Sequence, residues 1–327
     1  MVGDASYVPA ADDDTLTLNV STGNAITGSQ TLKIRGQGNI TISDPVAIGS
    51  ATLYKYNTGT LTLTGTNTQS RSYISGGVLS VNQDRALGAV PGSTDSNNIT
   101  INGGTLKTTA SFTINTKRGI QLDASNSTIN VDASTTLTYA GIIDHQGSET
   151  NNGYTKSGGG TFALSGDSTY SGVTTISAGV ITIAHAGSLG STSGATSITS
   201  GAALSISGGI TVAEPITVNG TGVSSGGAIV FTANDNTYSG AITLGSTSTI
   251  VSTGGAQTIS ATVNGGQALT ITANGNLVIS GAVGVSTDLS YYAVTTTGYA
   301  SQTFSANVKT TGNKPYTEAG VIVTGGH

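Results

Sequence analysis

The residue types that most often carry out catalysis are few and dispersed in this sequence. The three histidines, His145, His185 and His327, lie far apart along the chain, and the absence of cysteine excludes thiol chemistry, disulfides and thiolate metal sites. Asp144 and His145 could join a serine in a triad, but a triad is recognised by its geometry and the chain contains many serines. We therefore interpret the histidines as loop residues and predict no catalytic residue.

The acidic residues also lack the arrangement that hydrolysis or metal binding requires. A glycosidase needs two facing carboxyl groups, whereas the 16 acidic residues are scattered along the sequence. Asp12, Asp13 and Asp14 could hold a cation, although we favour a solvated terminal segment. The glycines at 158–160 follow Lys156 and precede no helix, so they form a turn rather than a phosphate loop. We predict no enzymatic activity, cofactor or metal, and keep a polysaccharide-degrading β-helix enzyme as the less favoured alternative.

Tyrosine remains as a side chain that could bind a ligand, because its ring and hydroxyl can contact sugars or protein partners. The candidate ligand-binding tyrosines are those at positions 54, 56, 73, 154, 170, 238, 291, 292, 299 and 316. Packing over the corners of the fold and at subunit contacts is the favoured interpretation for the group as a whole. The segment from residue 288 departs from the pattern of the rest, and its predicted assembly or binding contacts are Tyr291, Tyr292, Tyr299 and Tyr316.

The composition excludes several classes of protein. Charged residues make up 8% of the 327 residues, with a formal net charge of −5, compared with about 25% in a typical globular domain. Nucleic-acid binding through phosphate neutralisation is therefore excluded. No apolar run approaches the roughly 18 residues of a membrane-spanning helix. Residues 1–5 have neither a basic region nor an apolar core, so we expect no amino-terminal secretory signal.

An internal repeat organises the sequence. Gly59–Thr68 returns 101 residues later as Gly160–Thr169, and Ile74–Leu79 returns as Ile176–Ile181. A third, more degenerate copy begins near Gly227. Repetition on this scale indicates one structural unit that has been copied and has drifted.

Short alternating triplets of apolar and polar residues predict the secondary structure. Leu61–Leu63, Ile181–Ile183 and Leu269–Ile271 are three of many. A period of two with β-branched residues is typical of strands with one buried face. Between residues 98 and 220 successive strands lie only about 6 to 10 residues apart, too close for the crossovers of a flat parallel sheet. We therefore predict an all-β fold, a right-handed parallel β-helix with irregular terminal caps, in which each strand stacks on its equivalent in the next coil.

The sequence divides into three predicted segments. Residues 1–14 form an N-terminal cap or arm, and residues 15–287 form the β-solenoid, with degenerate repeats at about 59–91, 160–191 and 227–254. Residues 288–327 form a tyrosine-containing C-terminal cap or assembly segment.

The second repeat resembles a known family motif. Thr155–Gly172, continued by Ile176–Ile181, is similar to the autotransporter-associated β-strand repeat, also called the passenger-associated transport repeat. The first copy departs from the motif, because Gln69–Arg71 stands where the family has a Tyr-x-Gly element. The resemblance implies a β-helical passenger on a bacterial surface, such as an adhesin or a stalk, in an extracellular location.

These observations favour a non-enzymatic structural or adhesive protein. We expect self-association, either end to end as a filament subunit or as a trimer, and host surface glycans or proteins are candidate partners; nucleic acid is not. A phage tail fibre or other virion appendage is the main alternative. Ice binding would need Thr-x-Thr triplets in register on one flat face, but most triplets contain a single threonine.

Overall fold

The computed structural model describes residues 15–147, 151–232, 234–296, 302–304, 308–312, 316–317 and 321–323. Throughout this part the chain is all-β, and its strands pair in parallel, as in a β-solenoid. The predicted all-β parallel solenoid is confirmed, while its right-handed turn stays a prediction. No helix within these residues is long and apolar enough to cross a membrane. The predicted cap at residues 1–14 lies outside the described residues.

The chain divides into two compact units. The first runs to Phe162 and includes Gly166–Gly172, and the second comprises Ala163–Ser165 and the chain from Val173 onward. Each is a stack of parallel coils.

The strands of the first unit are short, and a 3₁₀ turn at Asp84–Leu87 interrupts them. They are β1 (Thr15–Leu18), β2 (Ile26–Thr27), β3 (Leu32–Ile34), β4 (Asn39–Ile42), β5 (Val46–Ala47), β6 (Thr52–Lys55), β7 (Thr60–Leu63), β8 (Arg71–Ile74), β9 (Val78–Val81), β10 (Asp95–Ile101), β11 (Thr105–Thr108), β12 (Phe112–Ile114), β13 (Arg118–Leu122), β14 (Ser127–Val131), β15 (Thr136–Tyr139), β16 (Ile143–His145) and β17 (Tyr154–Ser157). The next strand, β18 (Thr161–Leu164), begins in the first unit and ends in the second.

The second unit contains the remaining strands and a 3₁₀ turn at Val223–Ser225. They are β19 (Thr174–Ile176), β20 (Gly179–Ile183), β21 (Thr196–Ile198), β22 (Ala202–Ile206), β23 (Thr211–Val212), β24 (Ile216–Gly220), β25 (Ile229–Phe231), β26 (Thr237–Tyr238), β27 (Ile242–Ser252), β28 (Ala256–Ile259), β29 (Val263–Asn264), β30 (Ala268–Ala273), β31 (Asn276–Ile279), β32 (Tyr291–Thr296), β33 (Gln302–Phe304), β34 (Tyr316–Thr317) and β35 (Val321–Val323).

Two long faces run up the first unit. One follows the order β1, β4, β7, β9, β11, β14 and β17, and the other follows β3, β6, β8, β10, β13 and β16. The register places equivalent residues of successive coils side by side. On the first face Leu61, Leu79, Leu106 and Ile129 form a continuous buried ladder. Burial of each such side chain contributes about 1.5–3 kcal/mol.

The side chains that alternate with this ladder point outward and are polar. Thr41, Thr62, Ser80, Lys107 and Asn130 occupy equivalent positions of five successive coils on the same face. Strands with this composition suit a pleated surface that is half buried. The period-two pattern of the sequence is thus the alternation between a core ladder and a polar ladder.

The second unit repeats this arrangement. One face joins β20, β22, β25, β27, β30, β32 and β34, and another joins β23, β26, β28, β31, β33 and β35. A third face runs from β19 through β21 and β24 to the start of β27. The strands β32 to β35 pair in parallel with earlier strands, so the parallel stacking extends past residue 287, the predicted end of the solenoid. The capping or assembly role of residues 288–327 stays a prediction.

A glycine turn shows how closely the coils approach each other. Gly77 has φ +59°, and a Cβ on it would collide with the carbonyl oxygens of Asn57 and Gly59 and lie 2.7 Å from Lys55 Nζ. Gly49 has a similar φ of +61° but nothing within 4 Å of an added Cβ. Comparing the two positions therefore distinguishes the free-energy cost of the backbone conformation from the cost of a clash between coils.

We predict that Gly77→Ala destabilises the protein much more than Gly49→Ala. Both variants force alanine into the left-handed region, at about 1–2 kcal/mol, but only Gly77→Ala must also push two coils apart, for a total of about 3 kcal/mol or more. Urea unfolding of the two variants and the parent chain measures the difference. Equal losses of stability would show that the coils are not in close contact at this turn.

Candidate ligand-binding surface and buried polar groups

A cleft of about 170 Å³ opens on the outer face of the first unit, along β6, β8, β10 and β13. Its lining includes Thr52, Tyr54, Tyr73, Gln121, Asp123 and Gln146. Aromatic rings, amides and a carboxyl group therefore meet in this cleft.

The stacking of the coils positions the rings of this cleft. Tyr54 on β6 lies directly opposite Tyr73 on β8, and their ring centroids are 5.1 Å apart with planes inclined by 40°. Tyr56 lies almost parallel to Tyr54, at 5.7 Å and 4°. The guanidinium of Arg35 covers the Tyr56 ring, with Cζ 5.0 Å from the centroid. All three rings are half-buried, so part of each is open to solvent.

A hydrogen-bond network fixes the hydroxyl of Tyr73. Asn102 Nδ2 donates to this oxygen at 2.7 Å, and the hydroxyl donates to Asp123 Oδ2 at 3.2 Å. The other carboxylate oxygen, Asp123 Oδ1, is buried without a hydrogen-bond partner. Burial raises the pKa of Asp123, and the hydrogen bond from Tyr73 partly offsets that rise. The cleft thus contains an acceptor atom that the protein leaves unused.

Each of the two best repeats buries a lysine inside its coil. Lys55 occupies the inward position that Ile34 occupies in the preceding coil. Lys156 occupies the inward position equivalent to that of Ile129. Lys55 Nζ donates to the carbonyl oxygens of Tyr56 at 2.6 Å and Asn57 at 3.0 Å. The lysines replace a core side chain where a tight turn directs carbonyl groups inward.

The second lysine repeats this role. Lys156 Nζ donates to Gly158 O at 2.6 Å and Gly160 O at 2.5 Å. Burial lowers the pKa of both lysines to about 8, so both remain charged at neutral pH. A buried ammonium is tolerated here because it is hydrogen-bonded to backbone carbonyl groups.

A fully buried arginine holds the corner that contains the 3₁₀ turn. Arg118 pairs with Asp84, Nε to Oδ1 at 2.9 Å and Nη2 to Oδ2 at 3.3 Å. The same guanidinium donates to Gly88 O at 2.7 Å, Ala89 O at 3.0 Å and Asn98 Oδ1 at 2.9 Å. With its charge and donors satisfied, this group ties the turn to the next coil and is not available for a ligand.

A buried carboxyl group lies in the second unit. Glu214 is 3% exposed, and its Oε2 has no hydrogen-bond partner. Burial raises its pKa to about 7, opposed in part by the hydroxyl of Thr196. Its backbone carbonyl accepts a hydrogen bond from Tyr238 Oη at 2.7 Å. Glu214 is therefore a core group whose protonation state changes near neutral pH.

Within the part of the chain that the structure describes, no serine is hydrogen-bonded to His145, so no triad is assembled there. Asp144 Oδ1 accepts hydrogen bonds from the hydroxyl of Thr169 at 2.8 Å and from the backbone N–H of His145 at 2.8 Å, and lies 3.6 Å from His145 Nδ1. His185 Nδ1 accepts from the backbone N–H of Gly187 at 3.1 Å. Among the described residues no group of three potential ligands could hold a metal ion.

The four predicted contact tyrosines fall in different environments. Tyr291 on β32 is 37% exposed, whereas its neighbour Tyr292 is fully buried in the core of the second unit. Tyr299 and the side chain of Tyr316 lie outside the described residues. The assembly role of this segment stays a prediction, with Tyr291 as its described exposed member.

The sequence did not predict Tyr54, Tyr56 and Tyr73 as a site. The signal that could have identified them is their spacing, because the step of 19 positions from Tyr54 to Tyr73 corresponds to one coil. The buried Arg118, its partner Asp84 and the buried Glu214 were not predicted, since no local pattern separates them from solvated residues.

Comparisons with known proteins agree with the repeat. Residues 53–81 and 155–183 match the family model described as the passenger-associated-transport-repeat, which confirms the resemblance. The adhesin BmaC autotransporter of Brucella suis biovar 1 (strain 1330) is 34% identical over 192 residues, covering 58% of this chain. The aligned region is 5% of the length of that relative. No solved structure matches the chain significantly.

We predict that Lys55→Met and Lys156→Met each destabilise the protein by about 2–4 kcal/mol. Methionine fills most of the volume but removes at least two hydrogen bonds from the ammonium to backbone carbonyl groups, at about 1–3 kcal/mol each. Lys107→Met is the matched control, because Lys107 lies outside and pairs with Asp132 at 3.2 Å, and it should change stability by less than about 1 kcal/mol. Urea unfolding measures all three, and similar values for inner and outer lysines would contradict this role.

We predict that Glu214 makes the second unit less stable as pH rises from about 4.5 to about 7. Its pKa is higher in the folded state, near 7, than the ordinary 4.5, so the folded state holds its proton more tightly. Each tenfold increase in proton affinity on folding corresponds to about 1.4 kcal/mol of stability at low pH. Above pH 7 this contribution is fully lost.

Glu214→Gln tests this prediction, because glutamine does not titrate. Thermal unfolding between pH 4 and pH 8 should show a smaller decline in the variant than in the parent chain. Asp288→Asn, at an exposed residue of the same unit, should leave the decline unchanged. An identical pH profile for Glu214→Gln and the parent would overturn the assignment.

Proposed function

We propose that this chain is a β-solenoid segment of a non-enzymatic bacterial surface adhesin. The observation that carries the proposal is the passenger-associated transport repeat, matched twice on a parallel solenoid. The adhesin name of the Brucella relative supports it over a virion appendage or a polysaccharide-degrading enzyme. An extracellular or cell-surface location follows from the same proposal.

The physical basis of such a function is the repeating coil. Every coil contacts its neighbours through backbone pairing, so stability accumulates along the stack and does not depend on a single globular core. Outward side chains such as Thr41, Thr62 and Asn130 keep the surface polar at low charge. A surface of this kind can act as a stalk and can present binding residues at fixed spacings.

Self-association belongs to the same proposal. The exposed ring of Tyr291 on β32 is the feature that supports it.

We predict that beads coated with the full chain adhere to cultured epithelial cells several-fold more than albumin-coated beads. Free chain should compete in a saturable way, because specific contacts are limited in number. Coated beads should also aggregate with each other if the chain self-associates, and Tyr291→Ala should reduce that aggregation without changing cell adhesion. Failure of coated beads to exceed albumin in cell adhesion would contradict the adhesive function.

A further inference from the structure

We propose that the cleft at Tyr54 and Tyr73 binds one unit of a neutral saccharide. This inference deepens the adhesive function proposed above and rests on it for its biological meaning. The binding itself is a property of the first unit and can be measured without any cell.

The rings supply a stacking surface. A pyranose has apolar C–H faces surrounded by hydroxyl groups, and an aromatic ring that is apolar on its face and polar at its hydroxyl complements it. The ring centroids of Tyr54 and Tyr73 are 5.1 Å apart with planes inclined by 40°, and both residues are half-buried, so part of each ring is open to such a contact.

The polar groups supply the hydrogen bonds. Asp123 lines the cleft and its Oδ1 is buried without a hydrogen-bond partner, so a sugar hydroxyl that reaches this atom would relieve the cost of leaving it unpaired. The amides of Gln121 and Gln146 line the same cleft and can both donate and accept. Because Asn102 and Asp123 hold the Tyr73 hydroxyl, little order is lost on binding.

The charges of the cleft favour a neutral ligand over an acidic one. Arg71, the cation that lines it, forms a bidentate pair with Asp95, Nε to Oδ2 and Nη2 to Oδ1, both at 3.1 Å. An anionic sugar would therefore face Asp123 without a free cation from the lining to balance it. A neutral sugar avoids that repulsion.

The size of the cleft sets the expected affinity. At about 170 Å³ it is smaller than the roughly 300–1,000 Å³ of pockets that enclose drug-sized ligands. A single sugar unit of about a dozen heavy atoms then binds with a dissociation constant on the order of 1 mM. Many copies on a surface would raise this weak binding to useful strength by avidity.

The test uses the full chain and saturation-transfer NMR with the methyl glycosides of glucose, galactose, mannose, fucose, N-acetylglucosamine and N-acetylgalactosamine. N-acetylneuraminic acid is the charged comparison. At least one neutral glycoside should give a saturable signal. Tyr54→Ala and Tyr73→Ala should weaken its binding about tenfold or more, and Val285→Ala, the control at an exposed side chain of the other unit, should not change it.

Two conservative variants keep the proposal testable if an alanine variant fails to fold. Tyr73→Phe retains the ring and should lose only a few-fold in affinity, whereas Asp123→Asn retains the shape and should lose several-fold by removing one acceptor. No saturable signal from any neutral glycoside, a signal from N-acetylneuraminic acid alone, or unchanged binding in all four variants would overturn the site.

The bead assay separates this failure from failure of the proposed function. Normal cell adhesion by folded Tyr73→Ala beads would leave the adhesive function intact and remove the cleft from it. Glycoside binding by a chain whose beads do not adhere would leave the saccharide site intact and remove the adhesive function.

Discussion

Parallel pairing of each coil with the next is the constraint on which the rest of this structure depends. Every strand must direct its backbone groups along the stack, so its side chains can only point inward or outward. Equivalent inward positions then stack into ladders such as Leu61, Leu79 and Leu106, and equivalent outward positions into ladders such as Thr62, Ser80 and Lys107. A substitution in one coil is therefore felt by both neighbouring coils.

The same constraint explains why the repeat contains a buried cation. Pairing along the stack satisfies the strands, but it leaves the carbonyl groups of tight turns directed into the interior. An ammonium group on a long flexible stem can reach several of them, and Lys55 and Lys156 do so from core positions. An apolar residue at these positions would fill the space but would lose these hydrogen bonds. The lysine of the repeat is thus part of the fold rather than of a ligand site.

The fold could be predicted from the sequence because its period-two pattern and its repeat report directly on strands and coils. The buried charges could not, since a lysine in a polar, glycine-rich stretch has the same local pattern whether it points inward or outward. Coil length was the second obstacle. The step between equivalent core residues varies from 18 between Leu61 and Leu79 to 27 between Leu79 and Leu106, so cross-coil partners such as Tyr73 and Asp123 could not be aligned by counting.

The candidate site lies where large side chains from successive coils come together on one face of the first unit. Adjacent parallel strands lie about 4.7–4.9 Å apart, and the centroids of Tyr54 and Tyr73 are separated by 5.1 Å. The backbone pairing of the coils, rather than a flexible loop, therefore sets the spacing of the rings. Asn102 and Asp123 come from two further coils, directly after β10 and β13, and fix the Tyr73 hydroxyl. A site assembled from four consecutive coils is as rigid as the stacking that holds them, which is the condition under which a shallow cleft can discriminate between sugars.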